Sequence, residues 1–185
     1  MVPSEQVPGA IVECDVFKGA SFCRFAMFRE LSGLSEQKRL IGFDIFGKFP
    51  ATDHEADKEP LKRFISNAGD QSISPEDLMR ALKNKNTDKN VELVEGDIRQ
   101  TVPAFVKNHP DLRISLLNLD TDVYEPAVVI LEHLFPRISK GGVLVIDDYN
   151  AFPGETKAVN DYFSGRDVQI KKFPYSATPH YLVKS

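Results

Sequence analysis

The chain has few cysteines and no long apolar run, which limits the classes of protein to which it can belong. Its 185 residues include two cysteines, Cys14 and Cys23, which the apolar pattern places in a predicted strand and in the helix after it. That placement favours reduced core thiols over a disulfide or a metal site. No apolar run approaches the length of a membrane span, and residues 1–10 carry no charged-then-apolar secretory leader. We therefore expect a cytoplasmic protein.

An excess of one charge is absent as well. The chain has 27 acidic residues against 23 Lys and Arg, and the resulting net charge of −4 gives no electrostatic reason to expect nucleic acid or an anionic membrane as a partner. A hydrophobic content of 42% is ordinary for a soluble globular chain. Since there is no repeat, low-complexity tract or evident linker, we expect a single domain over residues 1–185.

Two short apolar runs, residues 114–119 and 142–146, have the pattern of buried strands. Between them Pro126 opens a helical segment over residues 127–135, and a Gly-Gly pair closes the connection. Strand, helix and strand form a β-α-β unit, and its right-handed crossover places the two strands side by side.

Both strands end in paired carboxylates. Asp120 and Asp122 follow the first strand, and Asp147 and Asp148 follow the second. The carboxyl ends of parallel strands meet at the edge where open α/β sheets bind ligands, so we expect these four side chains to converge. Four close carboxylates repel one another unless a cation or a proton intervenes, and Mg²⁺ with oxygen ligands is the simplest remedy. A helix cap or a turn explains any single aspartate equally well, whereas two pairs in register favour a shared metal or catalytic role.

The start of the chain is typical of a nucleotide-binding half. Residues 10–14 predict a strand, residues 15–21 a loop of small residues, and residues 22–34 a helix. The loop alone is a weak signal, because it has one glycine where a dinucleotide fingerprint has three. A second strand over residues 40–43 ends at Asp44, and a carboxylate at this place commonly binds the ribose of an adenosine-containing cofactor. A turn aspartate is the alternative.

A polar insertion over about residues 46–90 follows the second strand. It predicts two helices, over residues 60–68 and 75–83. The length of the insertion makes it a candidate lid over an acceptor or, equally, an oligomer contact. The rest of the chain predicts strands and helices that complete an α/β/α sandwich with a closing hairpin: a strand over 91–95, helices over 101–108 and 154–163, and strands over 168–173 and 180–183.

Six motifs together resemble the macrocin O-methyltransferase (TylF) family of S-adenosylmethionine-dependent sugar O-methyltransferases, over about residues 7–184. The resemblance implies a three-layer α/β/α Rossmann-like fold with a mostly parallel seven-stranded sheet and a C-terminal antiparallel hairpin. The motifs are VPGAIVECDVFKGAS at 7–21, IGFDIFGKFP at 41–50, VEGD at 94–97, LDTDVYEP at 119–126, GGVLVIDDY at 141–149 and GETKAV at 154–159.

The resemblance also implies roles for individual residues. It implies that the methionine end of the cofactor contacts Glu13, Asp15, Gly19 and Ser21. It also implies that Asp44 binds the ribose and that Asp97 contacts the adenine. A metal triad is implied at Asp120, Asp147 and Asp148, with Asp122 as the general base. One position departs from the family pattern, since Asp15 stands where relatives usually have glycine.

The resemblance implies a Mg²⁺-assisted O-methyltransferase acting on a sugar hydroxyl, either of a nucleotide-linked deoxysugar or of a natural-product glycoside. Methyl transfer is an in-line displacement that requires an aligned hydroxyl and a base for its proton. A catechol-like phenol is an alternative acceptor, since its vicinal oxygens would also suit the metal. A methyltransferase-like binding protein without turnover is the non-enzyme alternative, and Asp15 is the residue that motivates it.

Overall fold

The structure, a computed structural model, describes residues 7–185, so residues 1–6 of the expected domain lie outside the described part. In chain order its elements are β1 (Ala10–Cys14), α1 (Ala20–Leu31), β2 (Leu40–Asp44), α2 (Glu55–Ala68), α3 (Pro75–Lys83), β3 (Val91–Glu95), α4 (Ile98–Asn108), β4 (Ile114–Leu119), α5 (Tyr124–His133), a 3₁₀ turn (Phe135–Arg137), β5 (Ile138–Ile146), α6 (Pro153–Phe163), β6 (Lys171–Lys172) and β7 (His180–Val183).

One seven-stranded sheet runs through the described residues in the order β3-β2-β1-β4-β5-β7-β6. The first five strands are parallel, whereas β7 pairs antiparallel with β5 and with β6. This order confirms the expected mostly parallel sheet with an antiparallel C-terminal end. It also places β4 beside β5, as the right-handed β-α-β unit requires.

Helices cover both faces of the sheet, which explains why β1, β2 and β4 are buried at every residue. On one face, apolar residues of α4, α5 and α6 pack against alternate residues of the central strands, including Val12 and Leu117. On the other face, α1 and α3 contribute Phe22 and Leu78 to a second core that contains Ile11. The alternation of side chains along each strand thus supplies both layers of core.

The element bounds differ from the sequence prediction at several places. The helix predicted to begin at Thr101 begins at Ile98, because the side chain of Asp97 accepts a hydrogen bond from the Arg99 amide and caps the helix earlier. Pro103 consequently lies inside α4 rather than in its first turn. The strand predicted over residues 168–173 is paired only at Lys171–Lys172.

The insertion contains the two predicted helices, and the first is longer than expected. Pro60, which was predicted to open that helix, lies inside α2, which begins at Glu55. The second helix, Pro75–Lys83, has the predicted bounds and is capped by the Ser74 hydroxyl, which accepts from the Asp77 amide at 3.1 Å. Every helix in residues 7–185 is too short or too polar to span a bilayer.

Candidate active site

The aspartates that end β4 and β5 meet at one edge of the sheet. Leu119 and Ile146 are in register on these parallel neighbours, so the residues that follow them leave the sheet together. One carboxylate oxygen from each of Asp120, Asp147 and Asp148 lies within 4.8 Å of the others. The predicted convergence of these three side chains is therefore observed.

Asp122 lines the same cavity and is nearly buried, with 6% of its surface exposed. Its backbone adopts the left-handed conformation with φ of 62°, which aspartate tolerates better than most residues. Burial raises the pKa of Asp122 to about 10, and a hydrogen bond and charge repulsion from Asp148 act in the same direction. The four predicted aspartates thus border one space.

One cationic side chain, Lys18, lines the cavity of the cluster, and its Nζ donates to the Gln71 carbonyl. Within residues 7–185, no Lys, Arg or His forms an ion pair with any of the four aspartates. Burial raises the pKa of Asp120 well above its usual range, and the charges of Asp147 and Glu13 add to that rise. Three adjacent carboxylates without a cationic partner are a donor set that fits a hard divalent cation.

The loop after β1 lines the same cavity as this cluster, and Glu13 lies near the end of β1, just before the loop. Glu13 is completely buried, and one of its oxygens accepts from the Asn118 side-chain amide at 3.0 Å. Its other oxygen has no hydrogen-bond partner among the described residues. Burial raises the pKa of Glu13 to about 8, and the neighbouring polar side chains of Ser21 and Asn118 oppose that rise. A buried carboxylate oxygen without a hydrogen-bond partner is a candidate ligand for a cationic group.

Three positions in the loop have left-handed backbone. The φ angles are 70° at Asp15, 46° at Phe17 and 80° at Gly19. A Cβ at Gly19 would lie 2.9 Å from the Leu78 side chain of α3, so glycine lets the loop approach the insertion. The loop accommodates Asp15 without glycine's conformational freedom, because aspartate is one of the residue types that adopt this conformation. Burial raises the pKa of Asp15 well above its usual range, and the adjacent carboxylate of Asp44 adds to the effect.

Asp44 organises the loops on either side of it. One of its oxygens accepts from the amides of Val16 and Phe17, each at 2.8 Å, and the other accepts from the Phe46 amide at 2.6 Å. The sequence analysis predicted a ribose ligand or a turn residue at Asp44 and did not predict these bonds. Each carboxylate oxygen has more than one lone pair, so the bonds leave further acceptor capacity.

Asp97 lines a neighbouring cavity, which shares Asp15 with the cavity of the acidic cluster. It caps α4 and forms a bidentate pair with the Arg99 guanidinium, with N–O distances of 2.7 to 3.0 Å. That pairing lowers the pKa of Asp97. Asp15, Asp44 and Asp97 line one side of this cavity. The cavity runs along the carboxyl ends of β1, β2 and β3, where this fold class binds nucleotides.

Aromatic rings form the wall of the cavity that holds the acidic cluster. Phe64 of α2 packs against Phe17 with ring centroids 5.2 Å apart, and against Phe152 at 6.4 Å. All three rings line the cavity with the four aspartates, as does Phe49. The insertion therefore supplies two of the aromatic side chains of this wall.

Sequence reasoning missed Glu155, a buried carboxylate behind the acidic cluster. It is completely buried in the first turn of α6 and accepts from the amides of Thr121 and Asp148 at 3.1 and 3.0 Å. Burial raises the pKa of Glu155 well above its usual range, and the charge of Asp148 adds to it. Its position two residues after Pro153, within the GETKAV motif, was the signal available in the sequence.

Asp57 was missed as well, and it anchors the insertion. This completely buried residue of α2 accepts from the Tyr124 amide at 3.0 Å and from the Gly154 amide at 2.7 Å. It therefore joins the start of α2 to the starts of α5 and α6. Glu125 adds a second connection, because it accepts from the backbone amides of Asp53 and His54 at 3.0 and 2.9 Å.

The strand order, the helices on both faces and the cavities at the carboxyl edge define a Rossmann-like methyltransferase fold. The solved structure of CalS11, a calicheamicin methyltransferase, superimposes with a TM-score of 0.81 at 28% identity, covering 96% of this chain and 72% of that one. The O-methyltransferase NovP gives a TM-score of 0.82 at 22% identity, covering 97% of this chain and 73% of that one.

The family follows from the sequence comparison. Residues 1–173 match the model of the macrocin-O-methyltransferase (TylF) family, and the chain belongs to that family.

Two curated relatives are each 30% identical to the chain. One is an 8-demethyl-8-(2,3-dimethoxy-alpha-L-rhamnosyl)-tetracenomycin-C 4'-O-methyltransferase of Streptomyces olivaceus, matched over 87% of this chain and 60% of the relative. The other is a mycinamicin III 3''-O-methyltransferase of Micromonospora griseorubida, matched over 84% and 61%. The chain thus spans about three fifths of the length of these relatives.

Proposed function

We propose that the protein is an S-adenosylmethionine-dependent, Mg²⁺-assisted O-methyltransferase that methylates a hydroxyl of a sugar. The observation that carries the proposal is the cluster of Asp120, Asp147 and Asp148 beside the loop that follows β1. Family membership and the names of the relatives, which include O-methyltransferases of glycosylated natural products, support the same reaction.

The cofactor side of the proposal rests on two adjoining cavities that share Asp15. Glu13, with its unpaired oxygen, and the loop residues Asp15, Gly19 and Ser21 would border the methionine end. Asp44 would accept from the ribose hydroxyls, and Asp97 would border the adenine. Asp44 already binds three loop amides, so it would hold the loop and the ribose together.

On the acceptor side, Asp120, Asp147 and Asp148 would hold the divalent ion. A bound Mg²⁺ supplies a Lewis acid that orients two adjacent acceptor oxygens and lowers the pKa of the hydroxyl to be methylated. The three carboxylates fit that role because they offer oxygen ligands at mutual distances within 4.8 Å and form no ion pair with a cationic side chain of residues 7–185.

Asp122 would accept the proton in its ionised form, which a divalent ion beside it would favour against the burial that raises its pKa. The hydroxyl oxygen forms a bond to the methyl carbon while the carbon–sulfur bond breaks, and the hydroxyl proton passes to a carboxylate oxygen of Asp122. A base must lie within hydrogen-bond reach of that proton, and Asp122 borders the same cavity as the metal-binding residues. Its carboxyl group lies close to Asp148, one of the residues that would hold the ion.

The aromatic wall indicates what surrounds the hydroxyl. Phe17, Phe64 and Phe152 present apolar ring surface opposite the aspartates, which suits the C–H face of a sugar ring or an apolar aglycone. The same wall would also accept a catechol ring, so the phenol alternative is a necessary part of the test.

The test combines cofactor binding with acceptor turnover. Calorimetric titration of S-adenosylmethionine and S-adenosylhomocysteine should show binding of both. Methyl transfer should then be found with a rhamnoside of an apolar aglycone or with a nucleotide-linked deoxysugar, and it should be lost with EDTA and in D122N. Transfer to catechol alone would favour the phenol alternative. Cofactor binding without transfer to any vicinal diol would favour the inactive binding protein.

A further inference from the structure

Glu155 connects the two loops that carry the aspartates. One of its oxygens accepts from the Thr121 amide, between Asp120 and Asp122, and the other accepts from the Asp148 amide. The Glu155 amide in turn donates to the Asp122 carbonyl at 3.3 Å. One buried residue therefore contacts the backbone of both acidic loops.

We propose that Glu155 is a positioning residue that sets the distance between the two acidic loops for divalent cation binding. The inference rests on the proposed metal site, whose ligands follow β4 and β5. Beyond the last backbone bond between these strands, from the Asp147 amide to the Leu119 carbonyl at 2.9 Å, the ladder no longer fixes the spacing of the loops. Glu155 bonds both loops beyond that point.

Burying the carboxylate of Glu155 costs free energy that an apolar residue would not cost, so a function of its carboxylate is expected. A completely buried carboxylate behind several other carboxylates is desolvated and repelled, as the causes of its raised pKa indicate. Two backbone donors and the positive end of α6 compensate part of that cost. The bonds go to the amides within the acidic loops, and residues that orient metal ligands from behind typically change metal affinity about 10- to 100-fold when replaced.

The test compares E155Q with E132Q. Glutamine keeps the length of Glu155 but replaces one acceptor oxygen by an NH₂ group, so one loop amide loses its acceptor. Glu132 is an exposed residue of α5 without a hydrogen bond among the described contacts, and E132Q is the matched control. Binding of Mn²⁺, used in place of Mg²⁺, is measured by electron paramagnetic resonance of the free ion, and binding of S-adenosylhomocysteine by calorimetry.

We expect E155Q to bind Mn²⁺ about 10- to 100-fold more weakly than E132Q, with unchanged affinity for S-adenosylhomocysteine. A lower unfolding midpoint in E155Q with unchanged Mn²⁺ affinity would show a purely structural role and overturn the inference alone. Absence of D120N-sensitive Mn²⁺ binding in the wild-type protein would overturn both the inference and the metal part of the proposed function.

A second measurement covers the case in which E155Q does not fold. If Glu155 links the loops to the cation, Mg²⁺ binding should stabilise the bonds it accepts, because coupling between two sites is reciprocal. Saturating Mg²⁺ should therefore slow hydrogen exchange of the Thr121 and Asp148 amides in the wild-type protein. The Gly96 amide, which donates to the Asp44 carbonyl, is the internal control. Equal effects on all three amides would contradict the inference.

Discussion

Replacing Asp57 by alanine removes an acceptor that lies at the starts of three helices. Asp57 lies in the first turn of α2, and its carboxylate accepts from the first residue of α5, Tyr124, and from the second residue of α6, Gly154. The positive ends of three helix dipoles thus meet one negative charge. Hydrogen bonds to charged groups contribute about 1.5–3 kcal/mol each, so we expect D57A to lose about 3–6 kcal/mol of unfolding free energy. Asparagine keeps one acceptor oxygen, and D57N should lose about half as much.

Urea unfolding of D57A, D57N and the control D53A measures these values. Asp53 is exposed in the same segment and its side chain has no hydrogen bond among the described contacts. A Cβ at Gly154 would lie 1.9 Å from an oxygen of Asp57, so G154A should also be destabilising, and less so in the D57A background. D57A within about 1 kcal/mol of D53A would refute the reasoning, as would strictly additive effects of D57A and G154A.

Three further substitutions have defined outcomes. Because the pKa of Glu13 is raised to about 8 from 4.5, the folded protein keeps a proton that the unfolded chain loses, so wild-type stability falls as pH rises from 4.5 to 8. At pH 8.5, E13Q should therefore be more stable than wild type by about 1.4 kcal/mol for each unit by which the pKa of Glu13 is raised, whereas at pH 4 it should not be more stable. E13Q should also bind S-adenosylmethionine more weakly. A difference in urea unfolding that does not depend on pH would contradict this reasoning. In urea unfolding, R29M should lose about 3 kcal/mol or more of unfolding free energy relative to the exposed control R24M, because the buried Arg29 donates to four backbone carbonyls. A smaller loss would show that water replaces the guanidinium as the donor to these carbonyls. F64A should raise the acceptor KM about fivefold through loss of about 1 kcal/mol of aromatic contact, and an equal effect on S-adenosylhomocysteine affinity would place Phe64 elsewhere.

Strands could be predicted more closely than helix starts. The runs at Ala10–Cys14, Val91–Glu95 and Ile114–Leu119 were predicted to the residue, because they are bounded on both sides by polar residues or glycine. Pro60 and Pro103 misled the prediction of two helix starts, since proline is common in the first turn but lies further inside α2 and α4. Strand β5, which was predicted to begin at Gly142, begins at Ile138. Ile138 pairs with Ile114 across a register shift that the sequence does not reveal.

The acidic cluster was predictable because its members follow strands that the β-α-β rule makes neighbours. Asp120 and Asp147 are 27 positions apart in sequence, yet strand pairing alone brings them together. Glu155 and Asp57 were missed because their partners are backbone amides of other elements, which have no sequence signature. Nor did the sequence predict that Asp44 would bind three loop amides, because that depends on the path of the loop.

The interior position of β1 in the sheet also affects the order in which the chain folds. Its neighbours are β2, which is complete at Asp44, and β4, which is complete only at Leu119. While the residues between them are being synthesised, one edge of β1 is without its partner, and an unpaired apolar strand edge is a template for aggregation. Parallel pairing over such a separation is slow, because the loop entropy must be lost before the contacts form. We therefore expect nascent chains stalled shortly before residue 114 to remain protease-sensitive and chaperone-bound, and those that expose β4 and β5 beyond the ribosome to become compact.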